Sequence, residues 1–194
     1  MPITAKKKSA KRPAKAKAAM NGGAKAKRTV PDAIALLKAD HREVEELFGH
    51  FEKAKSSDRK AAIVAKICDA LTVHAAIEEE IFYPEARDAL ERAGDKLVDE
   101  AEVEHEGIKR LVEYLKTAKP TVKLYDAKVT VLKEYVTHHV KEEEHVLFPK
   151  LRASDLDAEA VGGKLARRKE ELTGKAVPPA RPSLLEQVQQ AILG

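Results

Sequence analysis

The chain of 194 residues has no tryptophan, one cysteine, and only four phenylalanines and four tyrosines. A single thiol, Cys68, excludes an intramolecular disulfide framework. It sits in an apolar helical stretch, where it reads as a small buried side chain rather than a reactive one. No run approaches the roughly 20 apolar residues that a membrane span requires. The first residues lack the apolar core of a secretory signal, and their lysine-rich, aperiodic character fits a transit peptide poorly. These absences predict a cytoplasmic protein with no membrane partner.

Acidic residues are missing from residues 1–28, which hold ten basic ones. The rest of the chain then carries 26 basic and 32 acidic residues, so a basic tail precedes an acidic body. Lysine, alanine and proline dominate the tail, and such a segment cannot bury enough apolar surface to order itself. It has two readings: a solvated tail that aids solubility, or an arm drawn to DNA or another polyanion in a salt-sensitive way. Lys6, Lys7, Lys8, Lys11 and Arg12 are the candidate contacts for the second. The organisation expected is a tail over 1–30, a helical body over 31–151, a further helix over 152–173, and a proline-rich linker with a short amphipathic helix over 174–194.

One stretch occurs twice. Residues 74–84 read HAAIEEEIFYP and residues 139–149 read HVKEEEHVLFP. Both place a glutamate four residues after a histidine and close on an aromatic residue and proline. On a helix that spacing sets the two side chains on one face, a turn apart, where they can bind one cation together. His41 precedes His74 by 33 residues and His105 precedes His139 by 34, so the body reads as two helical hairpins from a duplicated unit. Four histidines and two glutamates in a near-symmetric set suggest two metal ions.

Hydrophobic periodicity gives four helices. Their apolar lines are Ile34, Leu37, His41, Val44, Phe48; Ile63, Ile67, Leu71, His74, Glu78, Ile81; Val98, Ala101, His105, Ile108, Val112, Leu115; and Tyr125, Val129, Leu132, Val136, His139, Glu143, Val146. Gly94-Asp95 is expected to open the third helix. Pro84 is expected to bend or end the regular hydrogen bonding of the second, and Pro149 lies near the end of the fourth. Ser154-Asp155 is a candidate cap for a fifth. His41, His74, Glu78, His105, His139 and Glu143 all fall within the apolar stripes, and buried carboxylates need compensation by charge, hydrogen bonds or metal. His50 and His145 fall off these lines and read as surface residues. His138, about 100° from His139, reads as exposed or flanking the site.

The order His, His-x-x-x-Glu, His, His-x-x-x-Glu, with EEEIFYP and EEEHVLFP closing the repeats, resembles the hemerythrin-like HHE cation-binding domain over residues 31–151. The resemblance implies an all-α fold, an up-down-up-down four-helix bundle with a non-haem di-iron core. It implies that one iron takes His41 and His74, the other His105 and His139, and that Glu78 and Glu143 bridge them. Other divalent metals are an alternative. Oxygen-carrying members have a second histidine four residues after the third-helix one, where this chain has Lys109. Glu45, Glu102 and His138 are the candidate replacements. The resemblance therefore implies a protein that binds, senses or reacts with oxygen, nitric oxide or peroxide. Its alternatives are a catalase-like peroxide-removing enzyme and a nucleic-acid-associated iron protein anchored by its tail.

Overall fold

The structure, a computed structural model, describes residues 30–178, and every regular element among them is helical. The basic stretch with Lys6, Lys7, Lys8, Lys11 and Arg12, and the amphipathic helix expected at the end, lie outside the described residues. Four helices form the bundle: α1 (Ala33–Lys53), α2 (Ser57–Ile77), α4 (Arg92–Thr117) and α5 (Tyr125–Glu142). Short helices α3 (Tyr83–Leu90) and α6 (Phe148–Arg152) continue α2 and α5, and α7 (Ala158–Thr173) lies across one end. α1 packs along α2, α2 along α4, and α4 along α5.

Local chemistry sets the boundaries. Asp32 caps α1 by accepting from the Ala35 N–H at 2.8 Å, and Ser56 caps α2 through the Arg59 N–H. The cap of α7 is Asp157, accepting from the Ala160 N–H, rather than Ser154 or Asp155. Gly174, at φ 65°, closes α7 with its N–H on the Glu170 carbonyl. The third bundle helix begins at Arg92 rather than Gly94, because Glu91 makes the turn with φ 48°. Gly94 matters in another way: a Cβ there would meet the Leu90 Cβ at 2.8 Å, so glycine lets α4 fold back on α3.

Regular α-helical hydrogen bonding gives way just before each proline, by a widening of the helix rather than a break. Between α2 and α3, and again between α5 and α6, the chain makes one π-helical turn, Glu78–Phe82 and Glu143–Leu147. The Tyr83 N–H reaches the Glu78 carbonyl and the Phe148 N–H reaches the Glu143 carbonyl, five residues back in each case. Such turns insert one residue into a helix and recur at functional sites. Here the insertion moves the buried position from Ile81 to Phe82 and from Val146 to Leu147. It also turns Tyr83 and Phe148 fully inward.

Two apolar clusters fill the body. One joins the start of α1 to α3, α6 and α7 through Ile34, Leu37, Phe82, Phe148 and Leu165. The other joins the far halves of the four long helices through Phe48, Ile67, Val112 and Leu132. Between them lies a layer of buried histidine and carboxylate side chains.

Candidate metal centre

His41 on α1, His74 on α2, His105 on α4 and His139 on α5 all point into this layer, with Glu78 and Glu143 at the first residue of each π turn. None of the six exceeds 6 % exposure, and Glu78 is wholly buried. Their atoms form two groups that share Glu78. In the first, His41 Nε2 lies 3.2 Å from Glu143 Oε2 and His74 Nε2 lies 3.2 Å from Glu78 Oε2. In the second, His105 Nε2 lies 3.4 Å from Glu78 Oε2 and 3.1 Å from His139 Nε2. Glu143 Oε2 also lies 3.7 Å from His139 Nε2, so each glutamate faces both groups.

Three of the four histidines are held from behind by a carboxylate on Nδ1. His41 donates to Glu144 at 2.9 Å, His105 to Glu79 at 2.8 Å, and His139 to Glu104 at 2.9 Å. His74 has Asp40 at 3.7 Å. These contacts keep Nε2 of each ring free to face the centre, the arrangement that orients metal-bound imidazole. They follow the duplication: Glu79 and Glu144 each follow a central glutamate, and Asp40 and Glu104 each precede a first histidine. Periodicity could not select them, since all four lie one residue off the buried line. Their paired offsets in the two repeats were the available signal.

A further layer of cations holds those carboxylates. Lys38 pairs with Glu144, Lys109 with Glu79, and Lys169 of α7 with Asp40. Lys109, half-exposed, thus turns away from the centre and braces the carboxylate that orients His105. The candidate extra donors also stay outside: Glu45 is exposed on the outer face, Glu102 pairs with Arg87 at 3.2 Å, and the exposed His138 pairs with Glu104 at 3.2 Å.

A different aromatic residue stands beside each group, a contrast that aromatic content alone would not single out. Phe148 stacks on the His41 ring, with centroids 5.9 Å apart. At the equivalent place in the other half, Tyr83 sits against His105, its hydroxyl 3.3 Å from His105 Nε2 and donating to Glu143 Oε1 at 3.2 Å.

The electrostatics are those of a site built for positive charge. Burial and then the charge of Glu143 push the Glu78 carboxyl well above the usual range. Burial disfavours the His41 imidazolium, but Glu143 and then Glu78 outweigh it and push the group up to about 9. At His74 burial wins over Asp40, helped by the His41 charge, and brings the imidazole down to about 4. Burial also acts against Glu143, but His139 and His41 hold it low. Among the described residues, the buried side-chain atoms without a hydrogen-bond partner are His41 Nε2, both His74 nitrogens, both Glu78 oxygens and Glu143 Oε2. Buried polar atoms are nearly always paired, and metal ions would satisfy these together. The donor set of imidazole and carboxylate suits iron or a similar divalent metal.

Comparison with known proteins decides the family. The model of the hemerythrin HHE cation binding domain matches residues 32–161. The chain belongs to this family. A solved hemerythrin HHE cation binding domain-containing protein from Mycobacterium kansasii has the same fold, with TM-score 0.64 and 24 % identity over 74 % of this chain and 88 % of that one. A curated relative from Nostoc sp., described as a DNA nickase, is 30 % identical over 117 residues. The match covers 60 % of this chain and 32 % of the relative, so this HHE chain spans about a third of that protein's length. Among the described residues of the HHE protein, no helix is long and apolar enough to cross a membrane.

Proposed function

We propose that this HHE protein holds two non-haem irons and uses them to bind, sense or react with a small oxidant or diatomic molecule. In this reading His41, His74, Glu78 and Glu143 hold one ion, while His105, His139 and Glu78 hold the other, with the Tyr83 hydroxyl beside it. Iron in such a site supplies redox chemistry toward oxygen, nitric oxide or peroxide.

The observation that carries the reading is the set of unpaired buried nitrogen and oxygen atoms at the centre. A second supports the size of the ligand. A cavity of about 20 Å³ touches all four histidines and is otherwise walled mostly by apolar groups such as Val44, Leu71, Ile108 and Val136. One water-sized molecule needs roughly 10–15 Å³, so the space suits a ligand the size of a diatomic or peroxide.

The test is the absorption spectrum of anaerobic iron(II)-loaded protein before and after air, nitric oxide and peroxide. New charge-transfer bands on addition are expected. A spectrum indifferent to all three would overturn the reading. Sustained oxygen evolution from peroxide would favour the catalase-like alternative, for which the buried Tyr83 hydroxyl offers a proton source at the centre.

A nucleic-acid role is the second reading. It draws on the ten basic residues of segment 1–28 and on the relative described as a DNA nickase. Binding of duplex DNA that weakens with salt, and disappears when residues 1–28 are removed, is its expected signature.

A further inference from the structure

We infer that the groove between α4 and α5 is the entry path for divalent cations, and that His138, Glu142 and Glu104 form a transient cation site at its mouth. The inference rests on the two-metal reading above and concerns how the ions arrive.

The groove has a volume of about 550 Å³, with α4 on one side and α5 with its π turn on the other. His139 and Glu143 line its deep end, each 2 % exposed. Glu143 Oε2 has no hydrogen-bond partner. A cation moving down the groove therefore reaches, at the point where the buried centre begins, a glutamate with one oxygen that no hydrogen bond satisfies.

At the mouth, His138 and Glu142 repeat the four-residue spacing of His139 and Glu143 one position earlier on α5. Glu104, half-buried on α4, joins the two layers. Its Oε1 lies 3.2 Å from His138 Nε2, while its Oε2 accepts from His139 Nδ1 at 2.9 Å. Two nearby acids already have cations: Asp99 has Arg87 at 2.8 Å, and Glu100 has Lys96 at 3.6 Å. Glu142 forms no ion pair among the described residues. Glu142 is thus the uncommitted carboxylate at the mouth, and the His138–Glu104 pair beside it adds an imidazole and a second carboxylate, the same donor types as the centre itself.

A second groove, of about 570 Å³ beside His41, gives the contrast. Its lining sets Arg42, Lys133 and Lys141 against Glu45 and Glu144, so it lacks the excess of acids that lines the α4–α5 groove. Clefts lined by one sign of charge raise the local concentration of the opposite ion and its rate of arrival. Of these two grooves, the α4–α5 one joins an excess of negative charge and an imidazole to a floor that reaches both a central histidine and a central glutamate.

The test uses the full-length chain stripped of metal, mixed rapidly with cobalt(II), whose visible bands report uptake without oxidation. The paired variant His138→Ala/Glu142→Gln changes exposed residues only, and Glu142→Lys alone reverses one charge. Both are expected to slow uptake by about tenfold or more, with the final stoichiometry and spectrum of the wild type. Uptake at the wild-type rate in both variants overturns the inference. A changed final stoichiometry or spectrum also overturns it, since the residues would then belong to the equilibrium site. Failure of the wild type to bind cobalt, zinc or iron would instead remove the two-metal reading beneath it.

Discussion

His105 Nδ1 donates to Glu79 Oε1 at 2.8 Å, tying the first histidine of the second half-repeat to the acidic run of the first. Its counterpart, His41 to Glu144, ties the halves in the opposite sense. Each ring is therefore oriented by a residue that the other repeat supplies. Replacing Glu79 or Glu144 with alanine is expected to weaken metal binding about 10–100-fold, with helix content unchanged. Competition against a chelator measures this, and wild-type affinity in both variants would show the rings to be positioned by packing alone.

The protonation of the metal-free centre sets a pH dependence. His41, raised to about 9 from 6.5, stabilises the fold below its unfolded value, and that contribution is lost as pH rises through about 9. Glu78, also raised, acts in the same direction: its protonated form is favoured by the fold, and stability is lost as that proton leaves. His74, lowered to about 4 from 6.5, acts oppositely, costing stability as pH falls from 6.5 toward 4. Chelated protein is therefore expected to have a higher Tm near pH 6.5 than at pH 4.5 or 9.5. Metal binding at neutral pH should release protons, the one on His41 among them. Calorimetry in buffers of differing ionisation enthalpy counts them, and no release would contradict these assignments.

Two adjacent glycines of α7 offer a matched pair. A Cβ at Gly162 would lie 2.3 Å from the Pro31 carbonyl oxygen, a backbone atom at the start of α1. Gly162→Ala is expected to destabilise the protein by about 1–3 kcal/mol and to loosen the contact of Lys169 with Asp40. Gly163 has nothing within 4 Å of the same position, so Gly163→Ala should stabilise by about 0.5–1 kcal/mol through helix propensity. Denaturant unfolding of both variants tests this, and equal effects would mean that α7 does not pack closely on α1.

Tyr83→Phe keeps the ring against His105 and removes the hydroxyl that Glu143 accepts. Metal content should stay near that of the wild type, while the absorption bands of the iron-loaded protein shift. An unchanged spectrum would place Tyr83 among packing residues.

The sequence made the six central residues legible because a four-residue spacing on an apolar stripe has one geometric meaning. The π turns were not legible. A periodicity of 3.6 carried past Glu78 points to Ile81, and only the inserted residue exchanges it for Phe82. Proline at positions 84 and 149 marks where regular α-helical bonding changes, but not that the change is a widening by one residue. At Lys109 the sequence shows only that a histidine is absent, because its pairing with Glu79 on the neighbouring helix is set by packing. The same holds for Asp40, Glu104 and Glu144, whose partners are decided by tertiary packing.

The central claim, two metal ions held by the six buried residues, is tested most directly by counting metal. Full-length protein reconstituted anaerobically with iron(II) should retain about two irons per chain after gel filtration, while His74→Ala and His139→Ala each retain about one or fewer. Wild-type protein that retains none, with neither variant altered in thermal stability, would contradict the account and leave the duplicated His-x-x-x-Glu as packing.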